Sequence, residues 1–171
     1  MIHIEPIQSK LGVKINSLEI YTNEKGILQV AFRYNPSDLN IMENGLQIQF
    51  ENILENHFRG NHYHYPEFAG EEFFLIKGYA LLIACDLKSE IFELYLLKER
   101  ASYYIPAFIA HKVINIGNKF GSNDEVELII SKHYNHSIKS LQIPFEIKHK
   151  DLESTIEKLI IKYKNEKLQS K

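Results

Sequence analysis

The chain has 171 residues, 44% of them hydrophobic and 25% charged, the size and make-up of one globular domain able to bury a core. Lys and Arg total 20 against 22 Asp and Glu, a net charge of -2, so there is no excess positive charge to draw in nucleic acid or an anionic membrane. A single cysteine, Cys85, excludes an internal disulfide and any all-thiolate metal site. The opening MIHIEPIQSK carries Glu5 and Lys10 among short apolar stretches, and the longest apolar run, FFLIKGYALLIA, is broken by Lys77-Gly78. Neither a signal peptide nor a membrane span is predicted, and the expected setting is the cytoplasm.

From Leu18 to Tyr134 the sequence predicts short strands punctuated by turns. ILQVAFRY (27–34) follows the turn residues Asn23 to Gly26, and GLQIQF (45–50) alternates apolar with polar. EEFFLIK, YALLIACDL, EIFELYLLK, ASYYI, HKVINI and EVELIISKHY come next, rich in Ile, Phe and Tyr and shorter than typical helices. This rhythm predicts an all-β sandwich or barrel over about 18–135. YALLIACDL and VELIISK are nearly continuous apolar runs, which predicts strands covered on both faces. Period changes in the tail: Leu152, Ile156, Leu159, Ile160 and Tyr163 recur at helical spacing, and Asp151 can cap the first turn, predicting one helix over about 151–167. No linker or repeat divides the chain, so residues 1–171 read as one domain.

Three histidines fall close together in ENHFRGNHYHYPEFAGEEFFLIKG. Strand alternation puts His62 and His64 on one face and Tyr63 on the other, and paired imidazoles on one face are natural metal ligands. Either Glu71 or Glu72 can add a carboxylate, but as neighbours on a strand only one can face the imidazoles. His111, in a strand otherwise full of Val and Ile, is a polar ring that needs a partner, and a metal can be that partner.

The same residues resemble the two motifs of the cupin superfamily, a small double-stranded β-helix or jelly-roll barrel. His62, His64, Glu71 and Gly78 match the first motif, G-x5-H-x-H-x3–4-E-x6-G, and the spacing to Gly78 selects Glu71 over Glu72. Pro106, His111 and Asn115 match the second, G-x5-P-x-G-x2-H-x3-N, with Arg100 and Phe108 standing where the family has glycines. Six residues, YPEFAG, separate His64 from Glu71, longer than the usual loop, and the missing glycines predict a reshaped turn before His111. RGNHYH, followed by IPAFIAH and Ser131–Tyr134, is similar to the deoxysugar-nucleotide epimerases and ketoisomerases of this superfamily.

That resemblance implies an isomerase or epimerase acting on a nucleotide-linked 4-keto-6-deoxy sugar by proton transfer beside the ketone. It implies His62 as base and Tyr134 as a proton-transfer residue, with Arg59, Tyr63 and Lys77 as substrate contacts and Arg59 suited to a diphosphate. His62, His64, Glu71 and His111 would alternatively hold a divalent Zn, Fe, Mn or Ni, with no organic cofactor. The two roles of His62 exclude each other, because a metal-bound imidazole has no lone pair for a proton. The family also implies a homodimer. Two other readings stay open: a metal-dependent cupin enzyme of another class, such as an Fe(II) dioxygenase or lyase, and a non-catalytic sugar-binding cupin.

Overall fold

The computed structural model describes residues 1–17, 19–23, 26–30, 44–65, 70–135 and 141–169, with side chains described over 1–17, 48–65, 70–132 and 141–166. Two β-sheets face each other across an apolar interior. The six-stranded sheet has the order β1 (Ile2–Ile4), β9 (Phe92–Leu96), β8 (Ala80–Asp86), β11 (Ile109–Asn115), β6 (Phe58–Tyr65), β13 (Leu141–Pro144). Facing it is a five-stranded sheet of β2 (Lys14–Ser17), β10 (Ala101–Ile105), β7 (Glu71–Lys77), β12 (Val126–Asn135) and β5 (Asn44–Ile53). A hairpin of β3 (Glu19–Asn23) and β4 (Gly26–Val30) closes at the expected turn, whose two middle residues, like the rest of ILQVAFRY after Val30, lie outside the described residues. Among the described residues every strand pairing is antiparallel except β1 with β9. This is the all-β jelly roll expected from the sequence, although β1, β2 and β13 extend the sheets on both sides of the predicted span.

The strand β8 shows why a continuous apolar run was needed. Ala80, Leu82 and Ala84 face the interior between the sheets with Phe73, Tyr95 and Leu128. Leu81, Ile83 and Cys85 face the other way, into a second apolar layer closed by the helix α1 (Leu152–Gln169) through Leu152, Leu159 and Ile160. Period-2 burial on both sides therefore sandwiches β8 between the barrel interior and the helix. The matching expectation for VELIISK is corrected, because Glu127 and Ile129 on the outer face of β12 are only half-buried. Asp151 opens α1 with its carbonyl, which accepts the Thr155 N–H at 3.0 Å.

At the two positions where the second motif has glycine, Arg100 and Phe108 hold φ angles of 67° and 63°, left-handed backbone suited to glycine although neither residue is one. A left-handed residue with a Cβ pays about 1–2 kcal/mol, and glycine loses about 0.5–1 kcal/mol in chain entropy. Arg100→Gly, at an exposed position, is therefore expected to stabilise the fold by about 0.5–1 kcal/mol, read as a higher midpoint in urea unfolding.

Candidate metal centre

The strand β6 is bent by one extra residue. Its register against β11 pairs His62 with His111 and Gly60 with Lys112, leaving Asn61 bulged out at φ 63°. Asn is among the residues that tolerate this conformation, and Gly60 beside it sits at φ 100°. A Cβ on Gly60 would lie 2.5 Å from the His111 carbonyl oxygen, so only glycine lets the two strands approach here. The bulge restores alternation so that His62 and His64 both point inward while Tyr63 points out.

Four side chains then converge. The rings of His62, His64 and His111 lie 4.8–5.4 Å apart by centroid, all from the six-stranded sheet. Glu71 reaches in from the facing sheet, with Oε2 2.7 Å from His111 Nε2 and 3.3 Å from His64 Nε2. The ligand atoms of the four residues all lie within 4.8 Å of one another. The lengthened stretch after His64 thus does not pull Glu71 away; its middle residues, 66–69, lie outside the described ones. Glu72 faces outward and accepts a hydrogen bond from Ser102 Oγ.

The donor chemistry fits a divalent ion. His111 Nδ1 lies 3.1 Å from the Ile109 carbonyl, which can only accept, so Nδ1 carries the proton and Nε2 is presented to the cluster. His62 Nε2 is buried with no hydrogen-bond partner among the described residues. Burial, and then the charge of His111, push the His62 pKa down to about 4, so its imidazole is neutral and its lone pair available at pH 7. Burial alone would raise the Glu71 pKa, but hydrogen bonds and charge from His111 and His64 hold it well below the ordinary carboxylate value. His62 is therefore neutral and Glu71 ionised near neutrality, the states in which each can hold an ion.

These shifts carry a pH dependence with one sign. Unfolding returns His62 to about 6.5, so between 6.5 and 4 the unfolded chain binds more protons than the folded one. Stability is lost as pH falls through that window, and protonation of Glu71 adds loss in the same direction below it. Chelator-treated protein is expected to melt at progressively lower temperature from pH 6.5 to 4, with His62→Asn flattening the upper part; a flat profile in wild type would contradict the assignment.

The four-residue cluster opens on a cavity of about 760 Å³. Of the expected substrate contacts, Arg59 lies on its wall, where Nε is 3.4 Å from Glu51 Oε2. Two others are displaced. Tyr63 follows the strand alternation to the outer face and packs against Phe145 at 6.5 Å, and Lys77 is exposed at the far end of β7, 3.9 Å from Asp124. Six residues of strand from Glu71 amount to about 20 Å, too far to reach the cluster. Tyr134 belongs to β12, but its side chain lies outside the described residues.

Lys132, Gln49 and Glu51 also line the cavity and are not among the residues predicted from sequence. Lys132 Nζ is 3.1 Å from Glu71 Oε1, so it occupies one carboxylate oxygen and leaves the other to the histidines. None of the three sits in a motif; the signal that could have found Gln49 and Glu51 is the alternation of β5, read with its polar side inward.

No family model matches the chain, and no curated protein matches it in sequence. Solved structures do match. A dTDP-6-deoxy-D-glucose-3,5-epimerase from Legionella pneumophila is 20% identical with a TM-score of 0.56, covering 77% of this chain and 72% of that one. A dTDP-4-dehydrorhamnose 3,5-epimerase from Bacillus anthracis is 13% identical with a TM-score of 0.57, covering 84% and 90%. A sugar 3,4-ketoisomerase from Thermoanaerobacterium thermosaccharolyticum is 9% identical with a TM-score of 0.51, covering 75% and 84%. With two facing, mostly antiparallel sheets, the chain has the jelly-roll fold of these sugar-nucleotide epimerases.

Proposed function

We propose that the chain is a cytoplasmic isomerase or epimerase that acts on a nucleotide-linked 4-keto-6-deoxy sugar by proton transfer beside the ketone, with a divalent metal held by His62, His64, Glu71 and His111. The observation that carries this reading is the convergence of those four side chains at a cavity in a fold shared with sugar-nucleotide epimerases and a ketoisomerase.

When bound, a divalent ion supplies Lewis acidity toward a ketone oxygen and the enolate that follows it. The chain's own residues do the rest. Ile109 fixes the tautomer of His111, and Lys132 holds Glu71 so that one oxygen faces the imidazoles. Phe73 and Ile130 give the cavity an apolar floor that limits water near the reacting carbon. As a ligand, His62 cannot also take the proton, so proton transfer is assigned to Tyr134, two positions beyond Lys132 on β12; His62 serves as base only in a cluster that binds no ion. A homodimer is part of the same reading, supported by Ile48, Phe50 and Ile76, all 40% or more exposed on the outer face of the five-stranded sheet. Sedimentation at micromolar concentration reads it.

Incubation with a dTDP-4-keto-6-deoxyhexose in D2O is expected to wash deuterium into C3 or C5, detected by mass spectrometry, and His62→Ala or Tyr134→Phe to suppress it. Absence of exchange across a panel of such sugars, in protein that carries metal, would remove the proposal. A three-histidine, one-carboxylate set also suits Fe(II), so oxygen uptake by iron-loaded protein is the result that would favour an oxygenase instead.

A further inference from the structure

A second cavity lies on the other side of the sheet that carries the histidines. Strand alternation turns His111 inward and Lys112, the next residue of β11, outward, toward the chain that leads into α1. Between that outer face and residues 147–156 is a cavity of about 560 Å³, a size that small-molecule sites share. Among the described residues it has no lining residue in common with the histidine cavity.

Its floor is apolar and its rim cationic. Ile114, Ile147 and Ile156 form the floor and belong to the apolar layer under the helix. Of the Lys, Arg, Asp and Glu that line it, three are lysines, Lys112, Lys148 and Lys150, and one is an acid, Glu153. Lys148 Nζ also lies 2.7 Å from Glu146 Oε2, but both ends of that pair are exposed, so water weakens it and Lys148 can change partner.

Lys112 is the residue that calls for a ligand. Its neighbours on the same face of β11 are Ala110, fully buried, and Ile114, so the pattern of the strand asks for an apolar side chain between them. An ammonium stands there instead, half-buried, and among the described residues no carboxylate lies within ion-pair distance of it. Its Nζ rests over the Phe58 ring, 5.0 Å from the centroid. A ring face attracts the charge but accepts no N–H in the way an oxygen does, so the donors of Lys112 are left to water or to an anion.

Both halves of the cavity are satisfied by one kind of molecule. A bare inorganic anion would leave the isoleucines wet, and a neutral apolar molecule would cover Lys112 without giving it an acceptor. An anion with an apolar body does neither. The net charge of -2 gives the chain no long-range pull toward an anionic membrane, which favours a free molecule over a lipid in a bilayer.

We propose that Lys112, Lys148 and Lys150 bind the carboxylate or phosphate head of a soluble amphiphilic anion whose tail lies on Ile114, Ile147 and Ile156. This site is separate from the reaction given under Proposed function and does not depend on it.

The test is amide chemical-shift titration of the full chain, chelator-treated so that the probes have no metal to ligate. Three probes divide the chemistry: octanoate has head and tail, acetate the head alone, and octan-1-ol the tail alone. Octanoate is expected to shift the amides of Ile114 and of residues 147–156, and to bind at least about tenfold more tightly than either of the others. Lys112→Met keeps the apolar stem and is expected to weaken octanoate about tenfold while octanol binds as before or more tightly, a divergence that a collapsed cavity cannot produce. Lys150→Gln, at an exposed position, is expected to weaken octanoate about twofold, and about 0.5 M NaCl to weaken octanoate but not octanol. The proposal is overturned if octanoate leaves those amides unmoved, if octanol binds as tightly as octanoate, or if Lys112→Met leaves octanoate affinity unchanged. Pelleting with phosphatidylglycerol vesicles that Lys112→Met abolishes would overturn the soluble occupant.

Discussion

Glu71→Gln is expected to destabilise the metal-free protein by about 3 kcal/mol, the lower end of what breaking a buried ion pair costs when one charge is left behind. Glu71 is the only carboxylate among the four converging residues, and it is 2% exposed. Its two oxygens serve different partners: Oε2 faces His111 and His64, and Oε1 faces Lys132 at 3.1 Å. Glutamine keeps the shape but not the charge, so the mostly buried Lys132 ammonium loses the carboxylate that faces it. Removing that ammonium as well, in Glu71→Gln with Lys132→Met, is expected to recover more than about 1 kcal/mol, because the residual penalty is the unpaired cation. Urea unfolding of chelated protein measures both values. Metal affinity, read by competition with a chromophoric chelator, should fall by at least about 100-fold in the single variant, beyond the 10–100-fold typical of outer partners. A single variant within 1 kcal/mol of wild type would mean that the Glu71–Lys132–His111 contacts carry no net charge dependence.

Gly60→Ala is expected to do comparable damage through the backbone alone. The added methyl would sit 2.5 Å from the His111 carbonyl oxygen and 2.9 Å from Lys112 Cα, and the φ of 100° is closed to a residue with a Cβ. Backbone cannot swing aside as a long side chain can, so β6 must lift from β11 or the bulge at Asn61 must flatten. Conformational strain of this kind costs about 1–3 kcal/mol, and the clash adds to it, giving a loss of about 3 kcal/mol. Flattening the bulge shifts His62 and His64 by one position against His111, and a one-residue slip turns inward side chains out. Metal binding should therefore fall together with stability, whereas glycine-to-alanine at Gly121, with open space around its Cβ position, is the control for the left-handed penalty without the clash. Retention of metal affinity in Gly60→Ala would show that the close approach of the two strands is not what gathers the imidazoles.

Much of this was legible in the order of residues because it is local. Strand β8 reads as covered on both faces since six consecutive apolar residues leave no side for water, and α1 reads from Leu152, Leu159 and Ile160 at helical period. The alternation His62-Tyr63-His64 is a property of any strand, and it carries Tyr63, expected as a substrate contact, to the outer face against Phe145. Arg100 and Phe108 show that residue type is only an indirect sign of φ, since both adopt left-handed backbone without being glycine.

What depended on tertiary structure was everything set by pairing between distant segments. Lys132 became part of the cluster because β12 lies beside β7 in the sheet, and no spacing along the chain encodes that adjacency. Lys77 fell out because its strand runs away from the cluster, which an isolated motif cannot show. In β5 the alternation of Ile48, Gln49, Phe50 and Glu51 is plain from the sequence, yet a period of two is symmetric between faces. Only the register against β12 decided that the polar side looks inward.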